Sequence, residues 1–311
     1  MKILVTGAGG FVGEYLVKLL VEHKHDITAV GLNHGSFLEE LNIPTYTCDI
    51  TDYVGLAGCM KEVSPDVVIH LAAISNVPMS WDKPVLTVDV NIKGTVNALM
   101  ALAEVNSNGV FLNIGSSDEY GLAAKLGKAL TEDVLCQPQN PYSISKYCAE
   151  QMVLQLGKKL GIKVIHTRSF NHFGPGQAKG FVTSDFASQI AAIERGEQEP
   201  IIRVGDLSAY RDFSFVSDIV EAYVALIEYD VEPGVYNICS GTARKIEDVL
   251  NILVSLSTKN ITVEKDVSRF RPSEVPYFVG NCDKLKKATS WNPKYDFKEG
   301  MAEVLAYWRN K

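Results

Sequence analysis

Several features that would announce a secreted, membrane or nucleic-acid-binding protein are missing from this chain. Its six cysteines, at 48, 59, 136, 148, 239 and 282, never fall in a CxxC pair, which argues against a zinc site or disulfide framework and leaves reduced, mostly buried thiols as the expectation. No run of lysine and arginine occurs and the formal net charge is -7, so a nucleic-acid surface is not expected and an anionic ligand has to be met by local positive residues. No apolar run reaches the length of a bilayer span. The apolar start, Lys2 to Val5, breaks into glycine at once, too early for a signal-peptide core; a cytoplasmic protein without a membrane partner is expected. His23 and His25 read as solvated residues at a helix end, and no metal site is expected.

What is present describes an ordinary globular chain. Its 311 residues, 46% apolar and 22% charged, suffice for one large or two smaller domains with a buried core. Lys2 to Thr6 is an apolar run suited to a strand buried on both faces, Gly7-Ala8-Gly9-Gly10-Phe11-Val12-Gly13 follows directly, and Tyr15 to Leu20 then recurs with helical period. Strand, glycine turn and helix in that order make a pocket where bare N–H groups and a helix N-terminus meet a pyrophosphate. Gly7 allows the turn, Gly10 the close approach, and Gly13 the contact of helix with strand, beside Phe11 and Val12 at the helix start.

The second strand, Asp26 to Gly31, should end at the adenosine ribose, where an acid favours NAD and a base favours NADP. Leu32-Asn33-His34 offers neither, which leans towards NADP with Asn33 and His34 as phosphate contacts; His34 reads equally well as an exposed loop residue. Asp49 and Ile50, after a third strand, are placed to touch the adenine, with Asp49 alternatively an N-cap. Val67 to Ala73 is a further buried strand whose small end, Leu71-Ala72-Ala73, lets a cofactor lie against backbone. A long helix is expected to begin at Asn91, and Val110 to Gly115 to form a strand leading into Ser116-Ser117-Asp118-Glu119-Tyr120-Gly121.

Pro141 opens a helix that sets Tyr142 and Lys146 four residues apart on one face. The ammonium is expected to pull the phenol pKa down from its reference near ~10 and make Tyr142 an acid or base. Alone, the pair describes an exposed helix start just as well. With Ser116 and Ser117 at a strand end, Ser, Tyr and Lys form a reaction site.

These motifs together resemble the extended short-chain dehydrogenase/reductase superfamily, in its sugar-nucleotide epimerase and dehydratase branch. The likeness rests on Thr6 to Gly13, His70 to Ala73, Asn91 with Gly94-Thr95, Ser116 to Gly121, and Tyr142 with Lys146. It implies a Rossmann-type doubly wound parallel sheet (1–170 plus 212–240) and a smaller C-terminal α/β substrate domain (171–211 plus 241–311). It also implies that Tyr142 exchanges the proton at the reacting carbonyl, that Lys146 binds the nicotinamide ribose and tunes Tyr142, that Ser116 bonds the substrate oxygen, and that the chain is a homodimer.

Asn171 to Gln177 and Arg271 to Val275 look like segments of the GDP-mannose 4,6-dehydratase group, which includes sister enzymes that reduce GDP-4-keto-6-deoxy-mannose. There the equivalents of Asn171, Arg211, Arg271 and Glu274 hold the GDP; an arginine fork suits a diphosphate, and Glu274 suits ribose hydroxyls. The group's dehydratases carry Thr-Ser-Glu before Tyr-Gly, where this chain has Ser116-Ser117-Asp118, a carboxylate one methylene shorter. Glu119 should point elsewhere. The expected reaction is therefore reduction of the C4 ketone to GDP-D-rhamnose with NADPH or NADH, Ser117 and Asp118 lining the sugar. The 4,6-dehydratase is the rival enzyme and a non-catalytic dinucleotide sensor the rival of another class. Ser217 or Asp218 is expected to cap the helix after Phe215.

Overall fold

A computed structural model describes residues 1–266 and 275–311. Thirteen strands appear among them: β1 (Lys2–Thr6), β2 (Asp26–Gly31), β3 (Thr45–Thr47), β4 (Val67–His70), β5 (Val110–Ile114), β6 (Lys163–Ser169), β7 (Asn171–Phe173), β8 (Ile201–Val204), β9 (Tyr210–Phe215), β10 (Gly234–Ile238), β11 (Ala243–Lys245), β12 (Thr262–Lys265) and β13 (Tyr277–Phe278). Seven form one parallel sheet in the order β10-β6-β5-β4-β1-β2-β3. This is the expected doubly wound fold. Its strands read as nearly continuous apolar runs because helices cover both faces, and Ile3, Leu4, Val5, Val68, Ile69, Phe111 and Ile165 are fully buried. The strand order reverses between β1 and β4, which opens a crevice at the carboxyl ends of both.

A second sheet, β11-β9-β13 with β7 on β9, stands over that crevice, and β12 pairs with β8. Its own apolar cluster joins Phe173, Phe213 and Phe215 to Phe186, Ile190, Leu250, Phe297 and Met301 of the helices around it. Strand β9 runs across position 212 and leads directly into the Val216–Glu228 helix, which packs on the large sheet's side against the Phe11–Glu22 helix.

Four local expectations are corrected. The long helix begins at Pro84, not Asn91: Pro84–Val88, a π-helical turn at Asp89–Gly94 and Thr95–Val105 run on continuously. That makes a 22-residue helix long and apolar enough by length and composition to cross a membrane, where no apolar run of that length was expected; here Ala98, Leu99, Ala101 and Leu102 are buried in the core. Asp52, not Asp49, caps the Tyr53–Val63 helix, while Asp49 accepts from Thr51 N–H and Oγ1, both at 2.8 Å. Neither Ser217 nor Asp218 caps the Val216–Glu228 helix; Asp218 instead accepts from Lys294 N–H (3.0 Å) and Tyr295 N–H (3.1 Å), tethering the C-terminal segment.

Candidate active site

The glycine turn comes first. Gly7 has φ +71°, and an ideal Cβ there would lie 2.7 Å from the backbone N of Ala72, so only glycine lets the end of β1 meet the loop after β4. At Gly10 the reason differs: a Cβ would approach nothing in the chain but Gly7 O, at 3.4 Å, and the space before the helix stays open. Gly10 is also an N-cap without a side-chain bond, leaving the first N–H groups of the Phe11–Glu22 helix directed into that space. The turn thus fits a dinucleotide's pyrophosphate. Gly13 packs its helix against the Ala8 backbone within the turn, not against the strand.

Around the turn, Thr6 Oγ1 lies 2.8 Å from His70 Nδ1 and accepts from Ala72 N–H at 3.3 Å, which fixes the half-buried Leu71-Ala72-Ala73 segment at the crevice. Burial, and Lys146 nearby, lower the His70 pKa to about 3, so it is a neutral strut between Thr6 and Thr95. Asn33 and Asp49 are exposed beyond the ends of β2 and β3, and Ile50 is buried against Gly94. His34 lies 3.2 Å from Oγ1 of Thr47, the last residue of β3.

Asn140 caps the Pro141–Leu160 helix, its Oδ1 accepting from Ser143 N–H at 2.8 Å, a bond worth about 1 kcal/mol. The helix carries Tyr142 and Lys146 under the crevice, 8% and 6% exposed. The Ser116 side chain comes near enough to the Tyr142 phenol to act on its pKa, so the structure brings those two together. The expected effect of Lys146 is not found. Burial pushes the Tyr142 pKa up, and Asp118 and Glu119 push it the same way, against the opposing influence of the Ser116 hydroxyl. Lys146 Nζ instead donates to the Ile114 carbonyl at 2.7 Å, and burial lowers its own pKa to about 8 against the pull of Glu119. Desolvation, which sequence spacing does not report, outweighs the neighbouring charge.

Ser116 begins a 3-10 turn over Ser117–Tyr120, its Oγ accepting from Asp118 N–H at 3.2 Å. Its own N–H donates to Glu119 Oε1 at 2.7 Å. Ser117 is 4% exposed, whereas Asp118 is half-buried and faces Arg211, whose charge opposes the rise that burial causes in the Asp118 pKa. Arg211 Nη1 donates to Tyr210 O (2.8 Å) and Val275 O (3.1 Å) and the guanidinium stands over Phe278. Asn171 is exposed at the start of β7, Nδ2 donating to Asp212 O at 3.3 Å. Phe11 stacks on His172, and Tyr15 donates to Pro175 O at 3.0 Å, so the Asn171 to Gln177 segment rests on the glycine-turn helix. Arg271 and Glu274 lie outside the described residues.

Sequence reading missed what lies behind Ser116. Glu119, Glu150 and His166 are 0–1% exposed and Arg168 is 4%. Arg168 grips Glu150 with two bonds of 2.8 Å and stands 3.6 Å from Glu119; His166 Nε2 is 3.2 Å from Glu119 and 3.3 Å from Glu150. Burial raises the Glu119 pKa; His166 and Arg168 overcome the same penalty at Glu150 and hold it below the usual range. Asn91, buried in the π-helical turn, accepts from Ile74 N–H (2.8 Å) and donates to Ile74 O (3.0 Å) and Ser145 Oγ (2.9 Å). The Glu119 and Glu150 bonds join the serine loop to the tyrosine helix through β6, a pairing no spacing in the sequence predicts.

A switch-point crevice with an open glycine turn, a half-buried Ser116 and buried Tyr142 and Lys146 defines a dinucleotide-dependent enzyme of the short-chain dehydrogenase/reductase type. The chain belongs to the GDP-mannose 4,6 dehydratase family, whose model matches residues 4–304. It is 34% identical over 310 residues (100% of this chain, 98% of the relative) to GDP-6-deoxy-D-mannose reductase of Pseudomonas aeruginosa. It is 30% identical over 287 residues (92% and 90%) to GDP-6-deoxy-D-talose 4-dehydrogenase of Aggregatibacter actinomycetemcomitans. Among solved structures, that of RMD from Pseudomonas aeruginosa complexed with NADPH superposes with a TM-score of 0.88 at 33% identity, covering 99% of each chain.

Proposed function

We propose that this enzyme reduces the C4 ketone of GDP-4-keto-6-deoxy-D-mannose to GDP-D-rhamnose, with NADPH preferred to NADH. The observation that carries the reading is the buried Tyr142 beside the half-buried Ser116 in a chain similar along its whole length to a GDP-6-deoxy-D-mannose reductase. Bound at the glycine turn, the reduced nicotinamide supplies hydride for the C4 carbon. Tyr142 gives its proton to the C4 oxygen, and its raised pKa suits that direction, because the phenol stays protonated at neutral pH. Ser116 holds the oxygen by hydrogen bonding, and Lys146 holds the ribose. Asp118, one methylene shorter than a glutamate, is badly placed for the elimination a dehydratase performs.

Gly7, Gly10, Phe11 and Val12 would carry the pyrophosphate, Asn33 and His34 the 2'-phosphate, Asp49 and Ile50 the adenine, and Leu71 to Ala73 the nicotinamide side. Ser117 and Asp118 would line the sugar, with Asn171, Arg211, Arg271 and Glu274 on the GDP. The cofactor unit is then 1–170 with 212–240 and the substrate unit 171–211 with 241–311, β9 crossing between them. A second copy would cover the exposed Trp81, Val85, Val88, Ile144 and Met152 on the Val77–Asp82, Pro84–Val88 and Pro141–Leu160 helices, which sedimentation of the purified protein checks. A cytoplasmic enzyme fits a substrate of this kind.

Incubation with the keto sugar and NADPH should consume both and yield GDP-D-rhamnose, and Tyr142→Phe should lower kcat at least ~100-fold with the cofactor still bound. An enzyme that leaves the ketone intact sinks the proposal. The talose relative supports a second reading with the same chemistry, hydride delivery to the other face of C4, and analysis of the product's C4 configuration separates the two.

A further inference from the structure

At the rim opposite the crevice, two histidines and a glutamate converge. The Phe11–Glu22 helix ends at His23, Lys24 turns the chain with φ +62°, and His25 N–H closes the turn on Leu20 O at 3.0 Å. This reversal lets both imidazoles reach one carboxylate from far along the chain. His23 Nδ1 lies 2.8 Å and His25 Nε2 3.0 Å from the same oxygen, Oε1 of Glu228, the last residue of the Val216–Glu228 helix. The three ligand atoms all stand within 4.8 Å of one another. The His25 side chain is 9% exposed and so held in place by packing, while His23 (40%) and Glu228 (30%) leave one side open to water. No lysine or arginine pairs with Glu228 among the described residues.

We propose that His23, His25 and Glu228 bind a divalent transition-metal ion of the zinc type, clasping the C-terminal ends of two helices. Two imidazole nitrogens and one carboxylate oxygen are a donor set that zinc takes with bonds of about 2.0 to 2.2 Å, and such bonds set tetrahedral ligands roughly 3.3 Å apart. The two separations from Glu228 Oε1, 2.8 and 3.0 Å, need to widen by only a few tenths of an ångström to admit the ion. Water completes the coordination on the open side. The ion is remote from Tyr142 and takes no part in ketone reduction.

The test is binding of Zn2+ to the purified full-length chain by calorimetry, repeated with Co2+ by visible absorption and with a thermal melt at each metal concentration. One equivalent should bind, Co2+ should give the spectrum of a nitrogen- and oxygen-ligated low-coordinate site, and the melting temperature should rise with metal. His23→Ala, His25→Ala and Glu228→Gln should each weaken binding at least ~10-fold, the loss that even an outer-shell partner causes, and abolish the rise in melting temperature while NADPH binding stays normal. Absence of saturable binding overturns the site, as does binding that survives all three substitutions.

Discussion

Glu119, Glu150 and His166, buried on and beside β6, and His23, His25 and Glu228, at the rim of the sheet, bring the same kinds of ligand atom within 4.8 Å of one another in each cluster. Their surroundings differ. The interior cluster is dry, and a cation of the chain's own, Arg168, is already bonded twice to one carboxylate and close to the other. The rim cluster has water on one side and no paired lysine or arginine among the described residues. Burying charge is costly unless it is compensated on the spot, so the interior cluster has had to be completed by the sequence itself, whereas the rim cluster can wait for an ion from solution. The same kinds of residue therefore serve as scaffold in one place and as ligands in the other.

Arg168→Ala should break the comparison most severely. It strands two carboxylates in the interior and should cost roughly 3 to 5 kcal/mol in urea unfolding, the usual penalty for removing one partner of a buried pair. Glu119→Gln keeps the shape but weakens the acceptor that holds Ser116 N–H at 2.7 Å, and kcat for the keto sugar should fall on the order of 10-fold, a fraction of the cost of a one-ångström misplacement. The same change removes the negative charge that supports protonated Lys146. Its pKa, already lowered to about 8 by burial, should drop further, so the alkaline limb of the kcat profile moves to lower pH. A merely structural loss would leave that limb in place. Smallest is Glu228→Gln, which in metal-free buffer should change unfolding by less than ~1 kcal/mol because the pair is part-exposed. Finding a large loss there, or none at Arg168, would reverse the roles assigned to the two clusters.

Much of the cofactor half was legible. The glycine turn, the parallel sheet and the helix opened by Pro141 follow from local patterns, because strand, turn and helix each carry their own periodicity and punctuation. The start of the long helix was missed because Val85, Leu86 and Val88 precede a π-helical turn that breaks the regular spacing, and Asn91 marks that turn, not the helix start. The Tyr142 shift was misread for another reason. Spacing places Lys146 beside it, but the sign of the shift comes from burial and from Asp118 and Glu119, which arrive by way of another strand.

By itself the sequence determined which groups sit at the ends of the strands: Gly7 and Gly10 after β1, Ser116 after β5, and Tyr142 at a helix start. These depend on neighbours a few residues away. Only the tertiary structure decided that Tyr142 comes near Ser116 and stays protonated, that Lys146 turns to the Ile114 carbonyl, and that Glu228 meets His23 and His25 across some two hundred residues. Partners so remote are chosen by how the sheet and its helices pack, and desolvation then fixes which of them keep their charge.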